Sequence, residues 1–249
     1  MKKAPFLLLL LMLLFACERE PVKPNEPVGK ETVKDHEGNE YAIKTYGSQT
    51  WMVENMKAKT TKDGKNILKC PANGQFSYEN PMAYYVYDKE ENTTNGRGYL
   101  YNFAAAQVIC PDGWHLPSVE DWQTLVDYVE REYTGEYNDD EITVAKALAS
   151  KNNWYFCDTV IGAPGYHCGT NNTSEFNLRP VGGFYTPANS DENPDFYGYY
   201  GRSVAWTSTV TDFSFERAFF VQLYYAADTV RVGVASQFNA FSVRCVKNN

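Results

Sequence analysis

Cys110-Pro111-Asp112-Gly113-Trp114-His115-Leu116-Pro117-Ser118-Val119-Glu120-Asp121-Trp122-Gln123-Thr124-Leu125 is the stretch from which the chain is read outward. Pro111-Asp112-Gly113 is turn chemistry, since proline presets φ and glycine accepts a positive φ. Pro117 breaks the short extended piece. Ser118 stands three residues before Asp121, a variant of the capping box in which each side chain satisfies a free N–H at a helix start. Beyond it Val119, Trp122, Leu125, Val126 and Val129 recur at helical spacing, which predicts a helix with one buried face. Trp114 and Trp122 are read as core, because large aromatic rings dominate core packing.

Upstream, Thr32–Asp35 and Tyr41–Tyr46 read as two strands joined by the hairpin loop His36-Glu37-Gly38-Asn39, and Trp51–Met56 as another strand. Residues 57–97 are mostly loop, punctuated by Asp63-Gly64, Asn73-Gly74 and Asn95-Gly96, with a strand at Met82–Tyr87. The alanine run after Tyr99-Leu100-Tyr101-Asn102 favours a short helix. A second helix is predicted over Glu141–Ser150, with Ile142, Ala145 and Leu148 on one side. From 151 onward the pattern is strands separated by Gly, Asn and Pro, with no solenoid or propeller period.

Aromatic residues make up 15% of the 249 residues, with 19 tyrosines, while mean hydropathy is only −0.49. That combination points to a β- and loop-rich chain with much Tyr on its surface, a composition suited to binding. The net charge is −8, and Lys2 and Lys3 fall in the N-terminal signal, so the remainder is more acidic still. Such a surface repels phosphate backbones, which excludes nucleic acid as a partner. Met1-Lys2-Lys3 and the apolar run Phe6–Phe15 read as a secretory signal, too short for a spanning helix. Residues 17–30 come next as a proline-rich charged tether of extended backbone, and 31–249 as one domain.

The signal ends in Leu14-Phe15-Ala16-Cys17, which resembles the lipobox of bacterial lipoproteins. The resemblance implies cleavage after residue 16, lipidation of Cys17, and membrane contact through that anchor only. Glu18 replaces the aspartate that often retains lipoproteins in the inner membrane, so the implied address is the outer membrane, with surface display favoured.

Six blocks then occur in order: Thr45–Met56, Gly98–Ala106, Cys110–Leu125, Phe176–Gly183, Ala205–Thr209 and Phe241–Lys247. Together they resemble the Fibrobacter succinogenes major paralogous domain, a family of secreted bacterial proteins often found as lipoproteins. The resemblance implies an α+β, C-type lectin-like fold, with two helices packed on small antiparallel sheets and long loops. It also implies a long disulfide between Cys110 and Cys245 that ties the end of the domain to its helical part. The separation of Cys157 and Cys168 suits a local bridge in a segment that departs from the family pattern. Cys70 is left over, as a buried thiol or as an alternative partner, because spacing alone does not fix connectivity.

No catalytic residues are assigned. His36, His115 and His167 have no metal-ligand spacing, and no HExxH, Gly-x-Ser-x-Gly or P-loop occurs. The paired reactive cysteines of the related formylglycine-generating enzymes have only a faint echo around Arg179–Phe184, so an enzyme of that type is not expected. Calcium favours oxygen ligands, and Asp191, Glu192 and Asp195 share one loop. Their order does not match sugar-binding C-type lectins, so no metal or cofactor is assigned.

Binding is assigned to the C-terminal third. Asp195-Phe196-Tyr197-Gly198-Tyr199-Tyr200-Gly201-Arg202 sets aromatic rings between glycines. Phe219–Val232 reads as two strands about a turn near Ala226-Ala227, with Val230, Val232 and Val234 inward and Thr229, Arg231 and Gly233 outward. Tyr197, Tyr199, Tyr200, Arg202, Tyr224, Tyr225 and Arg231 are the expected contacts to an extracellular glycan or protein. A competing reading packs many of these tyrosines between short sheets. A structural or assembly subunit of a cell-surface complex is the functional alternative.

Overall fold

Ser118 opens the longest helix, α2 (Val119–Tyr133), in extended backbone at φ −74° and ψ 172°. Its hydroxyl accepts the Asp121 N–H at 3.0 Å, and the Asp121 carboxylate accepts the Ser118 N–H at 2.8 Å. The capping box is therefore closed on both sides, with Glu120 and Asp121 at the positive end of the helix dipole and Arg131 at the other. Trp122, Leu125 and Val129 are buried, as the spacing predicts. Trp122 lies 5.0 Å from Trp51 and 5.7 Å from Phe176 between ring centroids, so three rings form the centre of this core.

The computed structural model describes residues 31–70, 82–86, 96–137, 140–186, 195–211 and 216–249. Among them the strands form four sheets. The first has five strands, β1 (Thr32–Lys34), β2 (Glu40–Tyr46), β3 (Gln49–Met52), β16 (Val246–Lys247) and β7 (Trp114–His115), in that spatial order. The second has six: β11 (Asp195–Tyr197), β10 (Gly183–Tyr185), β15 (Ala240–Phe241), β6 (Leu100–Asn102), β5 (Ala83–Tyr85) and β4 (Leu68–Lys69). The third is the antiparallel ladder β12 (Arg202–Val210), β13 (Arg217–Tyr224) and β14 (Arg231–Ser236). The fourth is the pair β8 (Gly135–Tyr137) and β9 (Asp140–Ile142).

The third sheet is a partition. Val204, Trp206 and Ala218 belong to a core shared with Tyr101, Phe103 and Phe241, whereas Ala205, Val221 and Leu223 belong to the core under α2. Period-two alternation thus serves two buried faces at once, which is why β12 is nearly continuous in buried residues. Between the layers Arg244 is fully buried. It donates to Asn55 Oδ1 at 2.8 Å, to the Phe176 carbonyl, and to the Asn177 carbonyl at 2.8 Å. Burial pulls its pKa down to about 9, against the opposing influence of Tyr46 and Glu54. Three acceptors replace the water it has lost, and they tie the 176–177 loop to the C-terminal block.

Several expectations are corrected. The α+β, C-type lectin-like reading with two helices on small sheets does not hold: strand makes up 37% of the structure and helix 15%. The helices are short except α2, namely α1 (Phe103–Ala106) and α3 (Val144–Leu148). The helix expected over Glu141–Ser150 is cut at both ends. Asp140–Ile142 is drawn into β9, and Thr143 caps the short α3, its hydroxyl accepting the Lys146 N–H at 3.3 Å. Beyond Leu148 the backbone turns extended and exchanges hydrogen bonds of 2.8 Å with Leu178 on both sides. Tertiary pairing overrides helix propensity here.

Cys110 and Cys245 are joined across 135 residues of sequence. Cys157 and Cys168 are not joined to each other: Cys157 is a buried free thiol, as is Cys70. The 157–168 loop is closed instead by backbone, with the Cys157 N–H donating to the Gly165 carbonyl at 3.0 Å. Val232 and Val234 are exposed at 49% and 37% rather than inward, because β14 is the sheet edge and α2 does not reach over it. Residues 1–30, with the signal, the tether and Cys17, lie outside the described residues, as do Asp191 and Glu192. No helix among the described residues is long and apolar enough to cross a membrane.

Candidate ligand-binding groove

Tyr197, Tyr199, Tyr200, Arg202, Tyr224 and Tyr225 line one open groove of about 530 Å³. Six of the seven residues expected as contacts therefore meet at one place. Tyr155, 53% exposed, and the backbone of Gly198 and Gly201 complete it.

The groove is built where three segments are fastened by main-chain bonds. The turn after β11 doubles back at Gly198, which has φ +81°, so that the Gly201 and Arg202 N–H groups both donate to its carbonyl. Tyr200 sits in the left-handed region at φ +63°, a conformation that a non-glycine residue keeps only where its surroundings enforce it. Its N–H donates to Pro180 O at 2.9 Å and its carbonyl accepts Tyr155 N–H at 2.8 Å. Tyr225 N–H donates to Gly201 O at 2.9 Å, and Gly165 N–H donates to Tyr225 O at 2.8 Å. The floor is thus an irregular continuation of the sheet, held by main-chain hydrogen bonds.

On this floor the rings support one another. Tyr155 packs edge-on to Tyr200 at 5.9 Å and to Tyr225 at 5.8 Å. Tyr199 and Tyr200 are 4.1 Å apart, and Tyr224 and Tyr225 4.7 Å. The Arg202 guanidinium lies 5.0 Å from the Tyr197 ring and 5.2 Å from that of Tyr224, and donates to Gln222 Oε1 at 3.2 Å. Hydrogen bonding with Tyr224 raises the Tyr225 phenol above its usual range. Chemically this is a row of flat apolar faces edged with hydroxyl groups and one cation.

Arg231 does not line the groove. It stands on β14 directly opposite Gln222, on the same sheet face as Arg202 but two strands away from it. Two residues, one in the groove lining and one beside it, were missed from sequence. Tyr155 lies in the divergent 154–168 segment, where no periodicity marks it. Arg97, whose guanidinium sits 4.9 Å from the Tyr199 ring, lies in a glycine-flanked loop far upstream of β12.

A second groove, of about 660 Å³, has the opposite character, with Glu130, Glu136, Asp140, Glu141 and Asp228 in its lining. Asp140 is already matched there by Lys146 at 2.9 Å. Among the described residues no three His, Cys, Asp or Glu side chains gather as a metal site. His115 is held by Asn248 Oδ1 at 2.7 Å and by Asp121 Oδ2 at 3.3 Å, a fastening between β7, the C-terminus and α2.

Residues 45–247 match the Fibrobacter succinogenes major domain, and the chain belongs to that family. No curated protein and no solved structure matches it.

Proposed function

We propose that this chain is a non-catalytic binding module, carried outside the cell on a lipid anchor at Cys17, that holds an extracellular glycan or protein in the tyrosine groove. The observation carrying this reading is the convergence of six tyrosines and Arg202 on one open groove. Flat rings take the apolar C–H face of a sugar or the side chains of a protein loop, and phenols and guanidinium meet hydroxyl or carbonyl groups. The groove residues are fastened through backbone bonds, so little ordering remains to be done on binding.

A glycan array, paired with pull-down from outer-membrane extract, tests the proposal. Retention of one polysaccharide or one soluble protein, abolished by Tyr197→Ala with Tyr224→Ala, is expected. Co-purification of membrane proteins unaffected by that pair would instead support an assembly subunit. The exposed Val232 and Val234 on the edge strand β14 favour that second reading, since an open sheet edge is a ready place for another chain to pair.

A further inference from the structure

We infer that the tyrosine groove selects acidic glycans, those bearing carboxylate or sulfate, over neutral ones; the inference rests on the binding reading above and narrows its ligand class. Among the described residues Arg202 is the single charged one in the groove lining. Two tyrosine rings and Gln222 hold its guanidinium in place, and among the described residues its other N–H groups have no protein acceptor. Arg231 flanks Gln222 from the other side, since residues directly opposite in an antiparallel ladder have Cβ atoms about 5 Å apart. Arg97 stands on the outer ring, Tyr199.

None of these three arginines is in an ion pair among the described residues, although acidic residues outnumber basic ones by 31 to 23. Five acidic side chains, Glu130, Glu136, Asp140, Glu141 and Asp228, line the other groove instead. Among the described residues Arg202 and Arg97 thus stand against the rings without an ion-pair partner, with Arg231 on the same sheet face beyond Gln222, and together they make an anion site. A guanidinium offers a planar fork of donors that matches carboxylate or sulfate oxygens, and a ring beneath it keeps that fork oriented without neutralising it. A protein ligand is less favoured, because the lining has no aliphatic pocket for an anchoring side chain.

The test is affinity electrophoresis of the full chain through gels holding polygalacturonate, its carboxyl-reduced neutral form, dextran sulfate or dextran. Stronger retardation by an acidic polymer than by its neutral counterpart is expected, and which pair shows the difference separates carboxylate from sulfate. Arg202→Gln should weaken that retention about tenfold or more, the usual weight of a charged hydrogen bond. Lys34→Gln on β1 makes the same change in net charge away from the groove and should leave retention unaltered, with melting curves confirming that both variants fold.

Equal retention by acidic and neutral polymers, lost with Tyr197→Ala and Tyr224→Ala but indifferent to Arg202→Gln, would overturn acid selection and leave the groove standing. Acidic retention that falls equally with Lys34→Gln would overturn it as diffuse charge attraction. Retention by no polymer, with a protein ligand captured through the same tyrosines, would likewise overturn it while keeping the groove. Failure of every ligand class would remove the groove as well.

Discussion

Lys146 Nζ lies 2.9 Å from Asp140 Oδ2 with the two side chains 0% and 1% exposed, a sealed ion pair joining α3 to β9. The same ammonium donates to the Tyr166 carbonyl, and Thr170 Oγ1 donates to the carboxylate at 2.6 Å. The pair thereby anchors the irregular 154–171 segment that carries Tyr155 to the groove. Burial lowers the Lys146 pKa, and the Asp140 carboxylate works against that fall. Lys146→Met should destabilise the chain by about 3–5 kcal/mol, because it strands a buried carboxylate. Adding Asp140→Asn should restore part of the loss, as read from urea midpoints. A single variant as stable as the parent would show the pair to be without consequence.

The Cys110–Cys245 bridge fastens the turn before β7 to the strand that pairs with it, and Met52 N–H donates to the Cys245 carbonyl at 3.0 Å. Closing a loop of 135 residues restricts the unfolded chain far more than the native one. Replacing both cysteines by serine should lower stability by about 4–5 kcal/mol in the chain-entropy account. Chemical denaturation is the measurement, and a loss under about 1 kcal/mol would mean that residual structure already holds these ends together when unfolded.

Much of this was legible in sequence where local chemistry and tertiary demand agree. The Ser118–Asp121 cap, the buried stripe of α2, the hairpin at Asp35–Asn39 and the turn after Tyr224 all rest on short-range signals. Tyr197, Tyr199 and Tyr200, set beside glycines, are found in the groove lining. What was illegible depends on partners far away in sequence. Glu141–Ser150 reads as helix, yet β8 and Leu178 claim its ends. Val232 and Val234 read as inward, but on the edge strand β14 they stand exposed. Cys157 and Cys168 have a spacing compatible with a bridge, whereas backbone bonds through Gly165 close that loop. The lectin-like inference failed with the second helix, since without it the sheets themselves form most of the layers.

Acid should probe the cap of α2. Burial opposes ionisation of Asp121, but the Ser118 N–H and hydroxyl, with His115, outweigh it and hold the carboxyl below its usual range. The folded pKa thus lies under the unfolded value of about 3.9, so this stabilisation is complete above about pH 4 and is lost as pH falls through the folded pKa. Asp121→Ala should cost about 1 kcal/mol at neutral pH, in line with the loss of a cap. The gap between parent and variant should narrow in acid. Thermal melts across pH that kept the gap constant would locate the effect in packing rather than charge.

Gly165 tests the groove without touching a ring. A Cβ built there would collide with the Tyr155 carbonyl, stand 2.7 Å from the Tyr225 carbonyl and 3.0 Å from Cys157 Cβ. Two of these neighbours are backbone atoms of the groove wall, and neither can move without carrying its tyrosine along. Gly165→Ala should therefore cost about 1–3 kcal/mol as overpacking does, and should also separate Tyr155 from Tyr225. Near-ultraviolet circular dichroism reports that separation with no ligand present, and retention on polygalacturonate reports its effect on binding. Gly169→Ala, where a Cβ meets nothing within 4 Å, is the matching control and should alter neither reading. A folded Gly165→Ala protein with the parent's aromatic spectrum and undiminished retention would mean that the Tyr155 wall gives the groove neither its shape nor its grip.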